Sequence, residues 1–349
     1  MSGPLSNKGY RSGSIEPKCG VLRDTWFERL TTRLLGCSME KQHISFSLII
    51  PTFHRVKDLK RCLKSINSLN YEFEQVIVVV RNNDSETLDF LHQNQIPYVL
   101  VYRPGTIAAL KCGIAISNCK IIVTIDDDTE VDDNWIRRAI HIFEDPNVGA
   151  VGGRDVQPNN HNPTNLNKVG RFTLRGKIIG NHHLSSGGVR EVDFLKGCNM
   201  FIRRDLLGTI YPVLELLKGE GAQWGNDLVI SLASRLNGMK TIYDSNMKII
   251  HHASPRPQEL REPTDGKLRY ENIFNAWLIK TIYAYKFSVL IVCIYGVLVG
   301  DRMSPGLIKS IQLRKCNIKY IVTDLVITVK ALLEVLPHIS KYRRPLKMK

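Results

Sequence analysis

The run Lys120-Ile-Ile-Val-Thr-Ile125 passes without a break into Asp126-Asp127-Asp128. A stretch this apolar reads as a buried strand. Three adjacent carboxylates at its end repel one another, so the junction costs stability unless a cation meets it. A hard divalent ion such as Mg²⁺ or Mn²⁺ takes oxygen ligands and bridges carboxylates to phosphates. In an acidic pair spaced two apart, one carboxylate reaches a ribose hydroxyl or the metal while the other binds the metal directly. The plain alternative is a solvated acidic turn ahead of the next helix, which Asp132 or Asp133 caps.

That junction closes a series of alternating units. Phe46–Phe53 is an apolar run ended by Pro51, and Val56 to about Ile66 carries apolar residues at helical spacing. Gln75–Val80 is a second buried strand, followed by a polar turn and a short helix over Glu86–His92. Tyr98–Tyr102 is a third strand and Thr106–Ser117 a third helix. The pitch predicts an α/β fold with a mostly parallel sheet, helices on both faces, and ligands beyond the strands' carboxyl ends. The informative polar residues follow those ends: Thr52, His54 and Arg55, then Arg81 to Asp84, then Asp126 to Asp128. Residues 154–190, rich in Asn, Gly, Arg and His, read as a long loop or an irregular β excursion bordering an acceptor site. A helix is expected to start near Gly225-Asn226-Asp227.

The excess of positive charge is uneven. Of a net +15, residues 256–349 hold 17 Lys and Arg against 7 Asp and Glu, while residues 44–255 hold 24 against 22. A nucleic-acid enzyme carries its basic stripe beside the active cleft, so nucleic acid is not the expected partner. The basic segment is also mostly apolar over 276–300, interrupted by Lys280 and Lys286, and carries an amphipathic run over 321–336, a combination that suits an anionic membrane surface. Ser288–Gly300 is shorter than the roughly 20 residues a spanning helix needs. The expectation is an interfacial helix pair, with a single spanning helix or a helical subdomain packed on the core as alternatives. Eight scattered cysteines without a CxxC pair give neither a zinc cluster nor a disulfide framework, and read as reduced thiols of a cytosolic chain. The N-terminal stretch begins polar and lacks the apolar core of a signal peptide. The expected divisions are an extension over 1–43, an α/β domain over 44–255, and a basic helical segment over 256–349 at the cytoplasmic face of a membrane.

Ser47-Leu-Ile-Ile-Pro-Thr-Phe-His-Arg55, Val76–Val80 with its polar turn, and Ile125-Asp-Asp-Asp-Thr129 resemble the nucleotide-sugar-binding half of family 2 glycosyltransferases. The resemblance continues at Gly197-Cys-Asn-Met-Phe-Ile-Arg-Arg204, Gly225-Asn-Asp227, Arg235-Leu-Asn-Gly238 and Ile250-His251, covering about residues 44–255. It implies the GT-A fold, a nucleotide-sugar donor (by analogy a UDP-sugar), a glycan or lipid-linked acceptor, as in surface-polysaccharide assembly, and a Mn²⁺ or Mg²⁺ ion. It further implies that Pro51, Thr52 and Arg55 line the nucleotide pocket, that Arg81 to Asp84 contact the base, and that Lys111 faces the nucleotide. Asp126 and Asp128 become the acidic pair, with Asp126 and Asp127 contacting the nucleotide-sugar, Asp128 the principal metal ligand beside Asp126, and His251 meeting metal or diphosphate. Asp227 becomes the catalytic base of an inverting single displacement, which needs one base and one electrophile. Beside it, Asn226 borders the acceptor, and Trp224 either stacks on an acceptor sugar or belongs to the core.

Two positions depart from the family pattern. Arg81-Asn82-Asn83 stands where an acidic residue is usual, which bears on base selection, and Asn226-Asp227 replaces a Glu-Asp pair. The loss at Asn226 favours one rival, an inert glycan-binding scaffold with the same fold. A second rival, a sugar nucleotidyltransferase, calls for a Gly-rich phosphate loop near the first strand, and Pro51-Thr-Phe-His-Arg55 is not one.

Overall fold

The computed structural model describes residues 44–158, 168–252, 266–285 and 288–347. The expected extension over 1–43 lies outside these residues. A nine-stranded sheet runs in the order β3-β2-β1-β4-β10-β6-β11-β5, with β9 added to β11. The first strands are β1 (Phe46–Thr52), β2 (Gln75–Arg81), β3 (Tyr98–Val101) and β4 (Ile121–Thr124), and they pair in parallel as the alternating pattern predicts. The second half is mixed. Strand β10 (Met200–Arg203) enters antiparallel between β4 and β6 (Val148–Val156). Strand β11 (Lys240–His251) runs parallel to β6 and antiparallel to the short β5 (Thr129–Glu130) and β9 (Val189–Glu191). The excursion after β6 holds a small hairpin, β7 (Arg171–Phe172) with β8 (Ile178–Ile179).

The period of two along the central strands divides the core. Phe46, Leu48, Ile50, Val78 and Val80 face α1 (Val56–Asn67), α2 (Ser85–Gln93) and α4 (Asp133–Phe143). Ile49, Ile77 and Val79 face the opposite layer of α3 (Thr106–Ile116), α5 (Tyr211–Leu214) and α6 (Asn226–Leu236). Asp132, whose side chain accepts from Trp135 N, is the cap of α4.

The C-terminal segment belongs to this second layer. Helix α7 (Gly266–Ile282) buries Ile273, Phe274, Trp277, Leu278, Ile279 and Ile282 in the same cluster as α3 and α6. Beyond it lie α8 (Val289–Leu298), α9 (Leu307–Leu313) and α10 (Ile318–Tyr342). Among the described residues no helix is long and apolar enough to cross a membrane. The single-spanning alternative over 276–300 is thereby corrected. Its first part is core, where the buried Lys280 donates to Asp301 at 2.6 Å and Ser304 at 2.5 Å.

Candidate active site

The three carboxylates follow β4, and the strand pairing beyond them decides what they meet. His251 pairs with Thr129 across the β11–β5 ladder, and His252 N donates to the Asp128 carbonyl at 2.9 Å. This ladder brings the end of β11 onto the acidic turn. His251 Nε2 lies 3.1 Å from Asp128 Oδ1 and 3.9 Å from Asp126 Oδ2. Alternation sends Asp127 the other way. Its carboxylate accepts from Thr52 Oγ1 at 2.8 Å and from Arg55 at 3.0 Å, and Arg55 also reaches Asp128 Oδ2 at 3.2 Å. Asp127 and Asp128 are buried, whereas the Asp126 side chain is 44% exposed.

The electrostatics follow from this packing. Burial pushes the Asp127 carboxyl up to about 7, against the pull of Arg55 and Thr52. Burial opposes the charge on Arg55, yet Asp127 and Asp128 hold its guanidinium above its usual range. Burial also opposes a charge on His251, but the neighbouring carboxylates of Asp128 and Asp155 raise the imidazole to about 12.

Ligand atoms of Asp126, Asp128 and His251 lie within 4.8 Å of one another, as do those of Asp155, Cys198 and His251. Two carboxylates with one imidazole fit Mn²⁺ or Mg²⁺ through their oxygens, the nitrogen favouring the softer of the two. Behind His251, Asp155 Oδ2 stands 3.9 Å from Nδ1 and accepts from Lys196 Nζ at 2.6 Å. This group was not singled out from the sequence. An acidic residue at the far end of an apolar strand, Val148–Val156, was the available signal.

Lys196-Gly197 connects that group to Asp227. Gly197 N donates to Asp227 Oδ2 at 3.5 Å, and Leu228 N donates to Oδ1 at 2.8 Å. Burial raises the Asp227 carboxyl above the usual aspartate range, and these amide bonds oppose the rise only in part. Asp227 stands in the first turn of α6, preceded by Gly225 in the left-handed region at φ +90°. The loop before it is tied on two sides. Gln223 Oε1 accepts from Ile107 N at 2.9 Å, at the start of α3. Asn275 of α7 accepts from Lys218 N at 2.8 Å and donates to the carbonyls of Lys218 and Trp224.

The remaining expected residues divide. Pro51 and Thr52 end β1 beside the acidic turn. Arg81 lies 5.2 Å over the Phe53 ring. Asp84 is fully buried; it accepts from His54 N at 2.6 Å and from Thr87, so its carboxylate clamps the turn after β1 to α2. Lys111 pairs with Glu215 near α5. Asn226 donates to the carbonyls of Ala222 and Gln223, stitching its own loop, and Trp224 packs half-buried on the core.

The sequence profile of glycosyl transferase family 2 matches residues 47–210. The glycosyltransferase AglE of Haloferax volcanii is 24% identical over 51% of this chain and 59% of its own length. Protein y4gI of Sinorhizobium fredii is 22% identical over 60% of this chain and 24% of its length. The chain thus matches less than two thirds of either relative. Residues 1–349 of S. aureus TarS, solved in complex with UDP-GlcNAc, superpose with a TM-score of 0.55 at 15% identity, covering 85% of this chain and 84% of that one. At that identity the likeness concerns the fold. Profile, relative and architecture point the same way: residues 47–210 match the family 2 glycosyltransferase profile, and they do so within a fold of the GT-A kind.

Proposed function

We propose that the chain moves a sugar from a nucleoside-diphosphate sugar, in our reading a UDP-sugar, onto a hydroxyl of a glycan or lipid-linked acceptor at an anionic membrane surface, with inversion at the anomeric carbon. The observation that carries this reading is the meeting of Asp126, Asp128 and His251 at one end of the sheet, linked through Lys196-Gly197 to a half-buried carboxylate with a raised pKa, Asp227. In this reading Asp128 is the principal ligand of a Mn²⁺ or Mg²⁺ ion, with Asp126 and His251 beside it. Such an ion supplies Lewis-acid stabilisation of the departing diphosphate.

The chain's own groups do the rest. Asp227 accepts the proton of the acceptor hydroxyl as that oxygen attacks, and its raised pKa makes it a stronger base than an exposed aspartate. A single base of this kind suits one displacement and hence inversion. Thr52 and Arg55 fix Asp127, which sets the turn that orients Asp126 and Asp128. Pro51, Arg55 and Arg81 border the nucleotide, and Asp84 shapes the base pocket through the turn it clamps. Lys111 enters only if its pair with Glu215 opens. Trp224 and Asn226 set the acceptor side through the loop they hold.

Nucleoside-diphosphate release and acceptor glycosylation, measured with Mn²⁺ or EDTA for the wild type and Asp227→Asn, test the reading. Asp227→Asn should slow transfer by about 10²–10⁴-fold while donor binding persists. Transfer at the wild-type rate would remove Asp227 as the base, and donor binding indifferent to EDTA would remove the cation.

A further inference from the structure

Among the described residues, 15 of the 20 exposed large hydrophobic side chains fall between Leu290 and Leu336. Helix α8 contains no charged residue in its ten positions. Its inner side gives Val292 and Gly296 to the core, Gly296 leaving room for the Trp277 ring, while Leu290, Ile291, Ile294 and Leu298 point outward. Helix α9 exposes Leu307, Ile308 and Ile311.

Helix α10 departs from the pattern of a helix on a water-facing surface. Its buried side carries Asp324 and Thr328 together with Ile321, Ala331 and Val335. Asp324 is fully buried and is held by Arg269 and Arg314. The outward side carries Ile318, Val322, Val326, Val329 and Leu333. Two polar groups are satisfied inside among the apolar ones, and a row of aliphatic side chains is left outside, where the usual stripe has polar residues. An apolar surface of this extent marks an interaction site.

Charge selects the occupant. Residues 288–347 hold ten Lys and Arg against three Asp and Glu. The three acids are each engaged by cations of the protein: Asp301 by Lys280, Asp324 by two arginines, Glu334 by Lys218. Lys319, Lys330 and Lys341 are exposed and recur every eleven residues. Eleven residues make about three helical turns, so these lysines line one border of the aliphatic stripe. Their stems can lie along apolar surface while the ammonium groups reach outward, although that of Lys330 also leans on the Tyr270 ring at 5.3 Å. A second copy would bring two cationic borders together, which like-charge repulsion opposes.

We propose that α8, α9 and α10 form a face that lies in the headgroup layer of an anionic lipid bilayer, aliphatic side chains inward and lysines at the phosphate level. The face lies on the membrane and does not cross it. Lipid contact does not depend on the sugar-transfer reading. Its bearing on the acceptor does: α10 packs on α7, which holds the loop ahead of Asp227, so the acceptor side is one helix layer from the lipid.

The test is flotation of the full chain with phosphatidylcholine vesicles with and without phosphatidylglycerol, alongside sedimentation velocity. The wild type should float with the anionic vesicles and far less with the neutral ones. Ile294→Glu combined with Val326→Glu and Leu333→Glu should abolish flotation while circular-dichroism melting stays cooperative. Lys319→Glu with Lys341→Glu, which leaves the aliphatic stripe intact, should bind anionic vesicles at least about thirtyfold more weakly. A wild type that stays unbound, a triple variant that still floats, or a stable wild-type oligomer that the triple variant splits into monomers would each overturn the proposal.

Discussion

Gly225→Ala is the sharpest probe of how the C-terminal helices bear on the active site. Gly225 holds φ +90°, and a Cβ built there would lie 2.3 Å from Ile279 Cδ1 of α7. Carbon atoms prefer about 3.5–4.0 Å, so one side must give by more than roughly 1 Å. The left-handed backbone costs about 1–2 kcal/mol for an alanine, and the overpacking about 1–3 kcal/mol. Together they destabilise by about 2–5 kcal/mol. Ile279→Val removes the offending methyl and by itself costs about 0.5–1.5 kcal/mol. The double variant should then be less unstable than the sum of the singles, by the overpacking contribution of about 1–3 kcal/mol. Urea denaturation followed by tryptophan fluorescence measures this, since Trp224 adjoins Gly225 and Trp277 lies on the same helix as Ile279. Turnover should fall in Gly225→Ala and recover in part in the double variant, because the displaced residue immediately precedes Asn226-Asp227. Strict additivity, within about 0.5 kcal/mol, would refute the argument that α7 buttresses this loop.

Further outcomes follow from the same geometry. Asp227 acts as a base only when ionised, and burial raises its pKa, so kcat should fall on acidification at a pH above the ordinary aspartate range; an acid limb at the ordinary position in a pH–rate profile would contradict this. Thr52→Val removes the 2.8 Å donor to Asp127, already raised to about 7, and should push that carboxyl further toward its protonated form and loosen Arg55. The expected result is a higher donor KM with a smaller change in kcat. Asp155 is buried, yet the nearby His251 and the bond from Lys196 hold its carboxyl at about 2, below the ordinary ~3.9. With the folded value depressed, the stabilisation of about 2–3 kcal/mol is present above about pH 4 and is lost as pH falls through about 2. Acid denaturation of the cation-free chain should therefore lose this component in Asp155→Asn.

Much of the first half of the fold was legible because its strands are buried on both faces and read as continuous apolar runs. Phe46–Thr52 and Gln75–Arg81 appear within a residue or two of their expected bounds. The acidic turn was legible for the same reason, since an apolar strand ending on carboxylates leaves few alternatives. The antiparallel insertion of β10 was not, because nothing in Met200–Arg203 states which neighbours it takes. Long-range pairing hid other features. Lys111 meets Glu215, and Asp155 meets Lys196, across stretches that no local pattern connects. Asp84 has the chemistry of a base-contacting carboxylate, but folding gives it the backbone of His54 and the cap of α2. Lys280 gave the 276–300 stretch the look of an interrupted span, and only the fold supplies Asp301 and Ser304 to accept its charge.

The burial of α7 alters what counts as the enzyme's folding unit. Six large side chains from Ile273 to Ile282 fill the layer beneath α3 and α6. At about 1.5–3 kcal/mol each, their removal would take away on the order of 10 kcal/mol, as much as holds an ordinary domain together. Exchanging catalytic halves between relatives at residue 255 would therefore produce chains with an open hydrophobic floor. The seam for such chimaeras belongs after α7, where the chain leaves the shared interior.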